Sequence, residues 1–304
     1  MINKVYKSGN YFPRASSIVW WLKSIKNSFL LLIRSIKLGH PVRLIKYRII
    51  NLLTFSLVFP PIRLILGSKK AYNLCDSFEG AFCPSGIISL PPPFKSRIII
   101  PNHISCYMPY LEIYLADVYR RETIKEGMNV IDVGANIGVY TVLATEKVGK
   151  NGKVVAIEPE PKNYKQLLGN IKLNNFQNVI SIEAALTDHN GIEKLYCSPW
   201  AGCHSLVITK DRIPSVEVSV KTLDKLVEEL NLKKIDLIKI DTEGAEIPVL
   251  KGAERMLKAN PNMRILVAAE HYPSEAREVC QFLNNRGFKT KVSPDDVVIT
   301  ILKR

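Results

Sequence analysis

The stretch Met128 to Gly138, MNVIDVGANIG, followed by Glu158 at the end of the next apolar run, constrains this chain more than any other segment. Val130, Ile131 and Val133 form a β-branched run suited to a buried parallel strand, broken near its end by Asp132. Gly134 and Gly138 flank Asn136 where the chain must turn sharply and let a ligand approach the backbone. A helix is predicted from near Ile137, and a second strand, Val154 to Ile157, delivers Glu158 twenty residues beyond Gly138. A carboxylate there is placed to accept both hydroxyls of a bound ribose. Strand, glycine turn, helix and acid together describe a pocket for a nucleoside-bearing cofactor.

The glycine spacing separates two classes of such cofactor. A dinucleotide fingerprint needs G-x-G-x-x-G, so that a pyrophosphate sits on the helix N-terminus. Here Asn136 replaces the middle glycine, and Asp132 stands two residues before the first. An acid at that point repels a pyrophosphate and suits a cationic cofactor with an amino group, such as S-adenosylmethionine.

The rows VIDVGANIGVYTVLA (Val130 to Ala144), VVAIEPEP (Val154 to Pro161), TLDKL (Thr222 to Leu226) and IDLIKIDTEGAEIPVLKGA (Ile235 to Ala253) resemble the class I S-adenosylmethionine methyltransferases, and within them the FkbM-type family. The first row alone points only to the class, and the IKIDTEGAE block is the most family-specific. The resemblance covers about residues 108 to 304. It implies a doubly wound, mostly parallel seven-stranded Rossmann-like sheet with an antiparallel last strand, S-adenosyl-L-methionine as cofactor, and O-methylation of a small molecule or sugar. The residues assigned to the cofactor are Asp132, Gly134, Asn136, Gly138, Glu158, Glu183, Ala184 and Asp241.

Beyond Glu158 strands and helices continue to alternate, the signature of a doubly wound sheet. A helix is predicted over Lys162 to Leu173 and a third strand over Val179 to Glu183, ending in Glu183-Ala184 where an adenine would lie. Short runs around Ile192 to Cys197 and Val216 to Val220 suggest an inserted hairpin, and a helix over Leu223 to Leu230 leads into a fourth strand, Ile235 to Ile240. Asp241 and Glu243 follow at its carboxyl end, the edge where open α/β sheets bind ligands. They read either as groups that position an acceptor and remove its proton, or as caps of a helix predicted over Gly244 to Leu257. A fifth strand, Ile265 to Ala269, ends in Glu270 and His271. An imidazole there reads either as a base that takes a proton from an acceptor hydroxyl, oriented by Glu270 or Asp241, or as a lone surface histidine in a turn, and the family resemblance favours the first. A final helix, Ser274 to Asn285, precedes a terminal hairpin of Phe288 to Val292 and Val297 to Leu302.

Charge is unevenly placed. Residues 1 to 75 hold thirteen Lys or Arg and no acid, whereas the rest carries 42 minus 13, or 29, bases against all 28 acids. From Ser17 to Leu38, Ile18, Trp21, Leu22, Ile25, Phe29, Leu32, Ile33 and Ile36 line one helical face, opposite Lys23, Lys26, Arg34 and Lys37. That is the pattern of an interfacial helix. The apolar run Ile49 to Phe59, stopped by Pro60-Pro61, is too short to span a bilayer, which takes about 20 residues. No cleavable signal peptide is expected. Residues 1–70 are therefore expected to form a basic helical extension on an anionic membrane surface, with a cytoplasmic, peripheral location; a helical cap whose apolar face packs on the enzyme domain is the competing reading. Residues 71–107, with a short apolar strand over Ile98 to Ile100, connect it to an enzyme domain over 108–304; Tyr107 to Thr123 is predicted helical and placed to fold over the cofactor, with Tyr110, Glu112 and Tyr114 as candidates there and core packing the favoured role of the two tyrosines.

The acceptor expected from this organisation is a small molecule, glycan or lipid-linked hydroxyl. Two other functions compete. RNA methylation through the basic arm is disfavoured, because RNA would leave the arm's apolar face exposed and no Asn/Asp-Pro-Pro-aromatic motif follows the fourth strand. A non-catalytic scaffold is disfavoured by the intact Asp132, Gly134, Gly138 and Glu158. Six cysteines without a C-x-x-C pair indicate neither a zinc site nor a disulfide framework. Asp241, Glu243, Glu270 and His271 carry atoms suited to a hard cation, but no metal is assigned from sequence.

Overall fold

A computed structural model of the protein describes residues 85–101, 109–197, 204–207 and 213–301, together with positions 33 and 49. The interfacial helix and apolar run expected over residues 1–70 lie outside the described residues.

The first elements are two short strands, β1 (Gly86–Ser89) and β2 (Arg97–Ile100), paired antiparallel. They fall in the connecting region, and β2 matches the short apolar strand expected over Ile98 to Ile100, whereas β1 was not expected. Ile88, Ile98 and Ile100 are buried in the same apolar cluster as Val142 and Leu143. The outer edge of β2 is satisfied by side chains. Asn170 Oδ1 accepts from Ile99 N–H at 2.6 Å, and Asn174 Oδ1 accepts from Arg97 N–H at 2.8 Å. Covering an open strand edge in this way removes a site for unwanted pairing.

The stretch predicted as one helix over Tyr107 to Thr123 is instead a π-helical segment, Leu111–Ala116, and a short 3-10 turn, Arg121–Thr123. Asp117 and Arg120 between them adopt positive φ, which ends the first segment. Tyr110 and Tyr114 are fully buried and pack 5.1 Å apart, so both serve the core.

The main domain then runs β3 (Asn129–Val133), α1 (Val139–Val148), β4 (Lys153–Ile157), α2 (Pro161–Leu173), β5 (Val179–Ile182), β6 (Ala185–Leu186), β7 (Gly191–Cys197), β8 (Ile213–Lys221), α3 (Leu223–Glu229) and β9 (Leu237–Ile240). It closes with α4 (Glu246–Lys251), α5 (Glu254–Ala259), β10 (Arg264–Ala268), α6 (Glu275–Asn284), β11 (Lys289–Val292) and β12 (Val297–Ile301). The seven-stranded sheet has the order β11-β12-β10-β9-β3-β4-β5. Only β12 runs antiparallel to its neighbours, as expected for the last strand. The inserted hairpin is present as β7 and β8, joined by β6 into a separate three-stranded sheet. The helix predicted over Gly244 to Leu257 is two short helices, α4 and α5, interrupted at Gly252.

Alternation along the strands sorts the two faces. Val130 and Leu237 face α1 and β2, whereas Ile131, Val133, Ile238 and Ile240 face α3, α4, α5 and α6. Asp132 and Lys239 share the parity of the first set and are cross-strand partners in the β3–β9 register. Both are buried, Asp132 completely, and Lys239 Nζ lies 3.2 Å from Asp132 Oδ1. Thr141 of α1 donates its hydroxyl to Asp132 Oδ2 at 2.6 Å, and Lys239 Nζ donates to Gly134 O at 2.7 Å. The pair thereby ties two central strands, the first helix and the glycine turn together. Removing one partner leaves an uncompensated buried charge. Lys239→Met is expected to lower the unfolding free energy by about 3–5 kcal/mol, and Asp132→Asn added to it to recover part of that loss, as measured by chemical denaturation.

Candidate functional site

Strand order reverses between β3, followed by β4 on one side, and β9 on the other. The crevice at the carboxyl ends of these strands is where a sheet of this kind receives a ligand. Every turn residue there has a defined task. Gly134, Asn136 and Gly138 all adopt positive φ, with values of 73°, 52° and 89°. Asn136 tolerates this conformation better than most side chains, which explains its place between the glycines.

The glycines also make room for protein. A Cβ on Gly134 would meet Asp241 O at 1.9 Å, and one on Gly138 would meet Leu167 Cδ1 at 2.7 Å. The space that sequence assigned to an approaching ligand is therefore filled by the end of β9 and by α2. The turn's amides are engaged as well. Gly134 and Ala135 N–H donate to Ile157 O at 3.0 and 2.9 Å, Asn136 N–H to Glu158 Oε2 at 2.7 Å, Ile137 N–H to Asn136 Oδ1 at 2.7 Å, and Gly138 N–H to Ala135 O at 2.9 Å. A pyrophosphate cradle needs such groups unengaged. This turn offers none of these five to a pyrophosphate.

Glu158 stands at the end of β4, with Oε2 accepting from Asn136 and Oε1 from Glu160 N–H at 2.9 Å. Burial raises its pKa to about 7, although the two amides pull it down. Each oxygen keeps a further lone pair for a hydroxyl donor. Ala184 is buried and Glu183 exposed just beyond β5, on the same edge. An acid with acceptor capacity and no phosphate-binding amides is a donor set that fits S-adenosylmethionine.

Asp132 is sealed beneath the turn against Lys239 and Thr141. Lys239, Thr141 and Tyr119 were missed in the sequence. Tyr119 donates its hydroxyl to Asp241 Oδ2 at 2.7 Å, packs edge-on against Tyr140 and lies over Lys239 Nζ at 5.6 Å.

Across the turn, Asp241, Glu243 and His271 converge. Neither acid caps α4, whose first residue follows Ala245 without a side-chain cap. Glu243 holds a φ of 58° and so turns its carboxylate back toward β10. His271 Nε2 lies 3.8 Å from Asp241 Oδ1 and 3.6 Å from Glu243 Oε2. Its Nδ1 lies 3.1 Å from Glu275 Oε2 and 3.5 Å from Glu246 Oε2, and its main-chain N–H donates to Glu275 Oε2 at 2.7 Å. Glu246 and Glu275 are new to the site; the spacing of Glu275, four residues after His271 at a helix start, was the available signal. Glu270, expected to orient the imidazole, is half-buried, and the carboxylates facing His271 Nδ1 are those of Glu275 and Glu246.

This environment changes the chemistry of His271. Burial favours the neutral ring, but the charges and hydrogen bonds of Glu246 and Glu275, with the charge of Glu243, outweigh it and raise the pKa well above the usual 6.5. Conversely Glu246, despite burial, is pulled down by His271. This environment favours the protonated ring.

Several relatives share this sequence. The Methyltransferase FkbM domain model matches residues 132–290. Methyltransferase 1 of Beauveria bassiana is 26% identical over 163 residues, covering 47% of this chain and 65% of that protein. The hexuronic acid methyltransferase AglP of Haloferax volcanii is 26% identical over 164 residues, covering 53% and 64%. The 31-O-demethyl-FK506 methyltransferase FkbM of Streptomyces tacrolimicus is 28% identical over 221 residues, covering 61% and 83%. The chain thus spans just under two thirds of the fungal and archaeal proteins.

A raised histidine pKa stabilises the fold fully below pH 6.5 and loses that contribution as pH climbs through the folded value. His271→Gln, compared with wild type in EDTA, is expected to lose on the order of 3 kcal/mol at pH 6, with the deficit shrinking at alkaline pH. Unfolding curves at pH 6 and 10 check this.

Proposed function

Because the chain belongs to the FkbM methyltransferase family, we propose that it transfers a methyl group from S-adenosylmethionine to a hydroxyl of a sugar, glycan or lipid-linked small molecule near a membrane surface. The carrying observation is that Glu158 and the acid pair Asp241 and Glu243 share one sheet edge, on either side of a turn whose own amides are engaged within the protein. When bound, the cofactor supplies an electrophilic methyl on a sulfonium.

The chain's own residues then divide the work. Glu158 accepts the ribose hydroxyls, and Glu183 and Ala184 flank the adenine. The main chain of Asp241, packed on Gly134, borders the same pocket. Asp241 and Glu243 hold the acceptor hydroxyl and take its proton. His271 is a positioning residue whose positive charge keeps both acids ionised, and proximity contributes most of the acceleration. A hexuronic acid methyltransferase and a 31-O-demethyl-FK506 methyltransferase among the relatives support a sugar or other small-molecule acceptor.

The membrane component is supported by the basic, apolar pattern of residues 1–70. Among the described residues no helix is long and apolar enough to cross a membrane. An interfacial helix needs neither property.

Two measurements test these proposals. Glu158→Gln is expected to weaken S-adenosylmethionine about 10- to 100-fold in calorimetric titration, the scale of one hydrogen bond to a charged acceptor. Wild-type affinity should rise with pH through about 7 as Glu158 ionises, and the variant should lack that rise. The full chain is expected to co-sediment with anionic vesicles in a salt-sensitive manner. Unchanged partitioning after deletion of residues 1–70 would refute the membrane proposal.

A further inference from the structure

We propose that His271, Asp241 and Glu243 form a site for a single divalent cation at the carboxyl edge of β9 and β10. His271 is only 7% exposed, yet its Nε2 makes no hydrogen bond. It points at Asp241 Oδ1 and Glu243 Oε2 from 3.8 and 3.6 Å, beyond hydrogen-bond reach of either. A buried ring nitrogen held this way needs a reason. One ion, taking the place of the proton on Nε2, supplies it: the three donor atoms lie within 4.8 Å of one another, and a cation binds each of its donors at about 2.0–2.6 Å.

The surroundings hold the donors in orientation. Nδ1 is engaged by Glu275 Oε2 at 3.1 Å, with Glu246 at 3.5 Å behind it. A carboxylate on one ring nitrogen is the arrangement that directs the other toward a metal. Tyr119 does the same for Asp241 by donating to Oδ2, which leaves Oδ1 turned toward His271. Four carboxylates around one imidazole also create the negative field in which a divalent ion is favoured.

One imidazole and two carboxylates suit a borderline first-row cation such as Mn2+. Three protein donors leave positions open, and Asp241, at 19% side-chain exposure, marks the open side. An acceptor hydroxyl bound there would be acidified by the ion. That part rests on the methyltransferase reading; the site itself does not.

The test uses the full-length protein, treated with chelator and titrated with Mn2+ alone. Loss of the free-ion electron paramagnetic resonance signal is expected to report one site per chain, with spin-echo modulation from an imidazole nitrogen. His271→Gln should abolish the modulation. Glu243→Gln, which leaves the His271–Glu275 contact in place, should weaken binding at least 10-fold while the protein stays folded by circular dichroism. Absence of Mn2+ binding by folded wild type, binding without nitrogen modulation, or unchanged affinity in Glu243→Gln would each overturn the proposal. S-adenosylmethionine titrated in EDTA tests the methyltransferase reading separately, so either can fail without the other.

Discussion

The buried ion pair between Asp132 and Lys239 is the contact on which the rest of the site depends. Desolvating two charges costs several kcal/mol each, and the pair recovers that only with good geometry and further hydrogen bonds. Here both conditions hold, through Thr141 on one side and the carbonyl of Gly134 on the other. The pair therefore acts chiefly on specificity. A one-residue slip of β9 would move Lys239 to the opposite face and strand both charges. With the register held, Asp241 O fits into the space that Gly134 leaves, and the acids after β9 arrive beside the turn.

A second consequence is electrostatic. The interior beneath the turn holds one positive and one negative charge, whereas a few residues away four carboxylates face a single imidazole. Such an excess of like charge in a half-closed space is costly for folding, and it is tolerated where chemistry needs it. Glu275 shows the strain: burial and neighbouring Glu246 raise its pKa to about 7 although His271 opposes them. Stability in this part of the molecule is therefore tuned by whatever cation occupies it, proton or metal.

The segment before the main domain is joined to this centre by side chains and not by secondary structure. Asn170 links β2 to the turn, because its amide donates to Ile137 O at 2.7 Å while its oxygen accepts from Ile99. Tyr119 reaches Asp241 from the other side. The residues ahead of β3 thus brace both halves of the pocket edge, which gives the β1–β2 hairpin a role the sequence did not assign to it.

The succession of strands and helices, the sheet's antiparallel last strand, the acid after β4 and the cluster after β9 and β10 were legible in the sequence, because each leaves a local mark: β-branched runs, glycines at fixed offsets, acids at strand ends. Partnership was not legible. Nothing local distinguishes Asp132 facing a lysine from Asp132 facing a cofactor, since Lys239 lies 107 residues away and the two meet only through strand register. His271 reads in the sequence as a lone imidazole; two glutamates brought in by α4 and α6 raise its pKa. Sequence determined which chemical groups stand at the sheet's edge, because strand periodicity and turn chemistry are properties of neighbours along the chain. Tertiary structure alone decided their charge states and tasks, because electrostatic energy depends on distance through space and on burial.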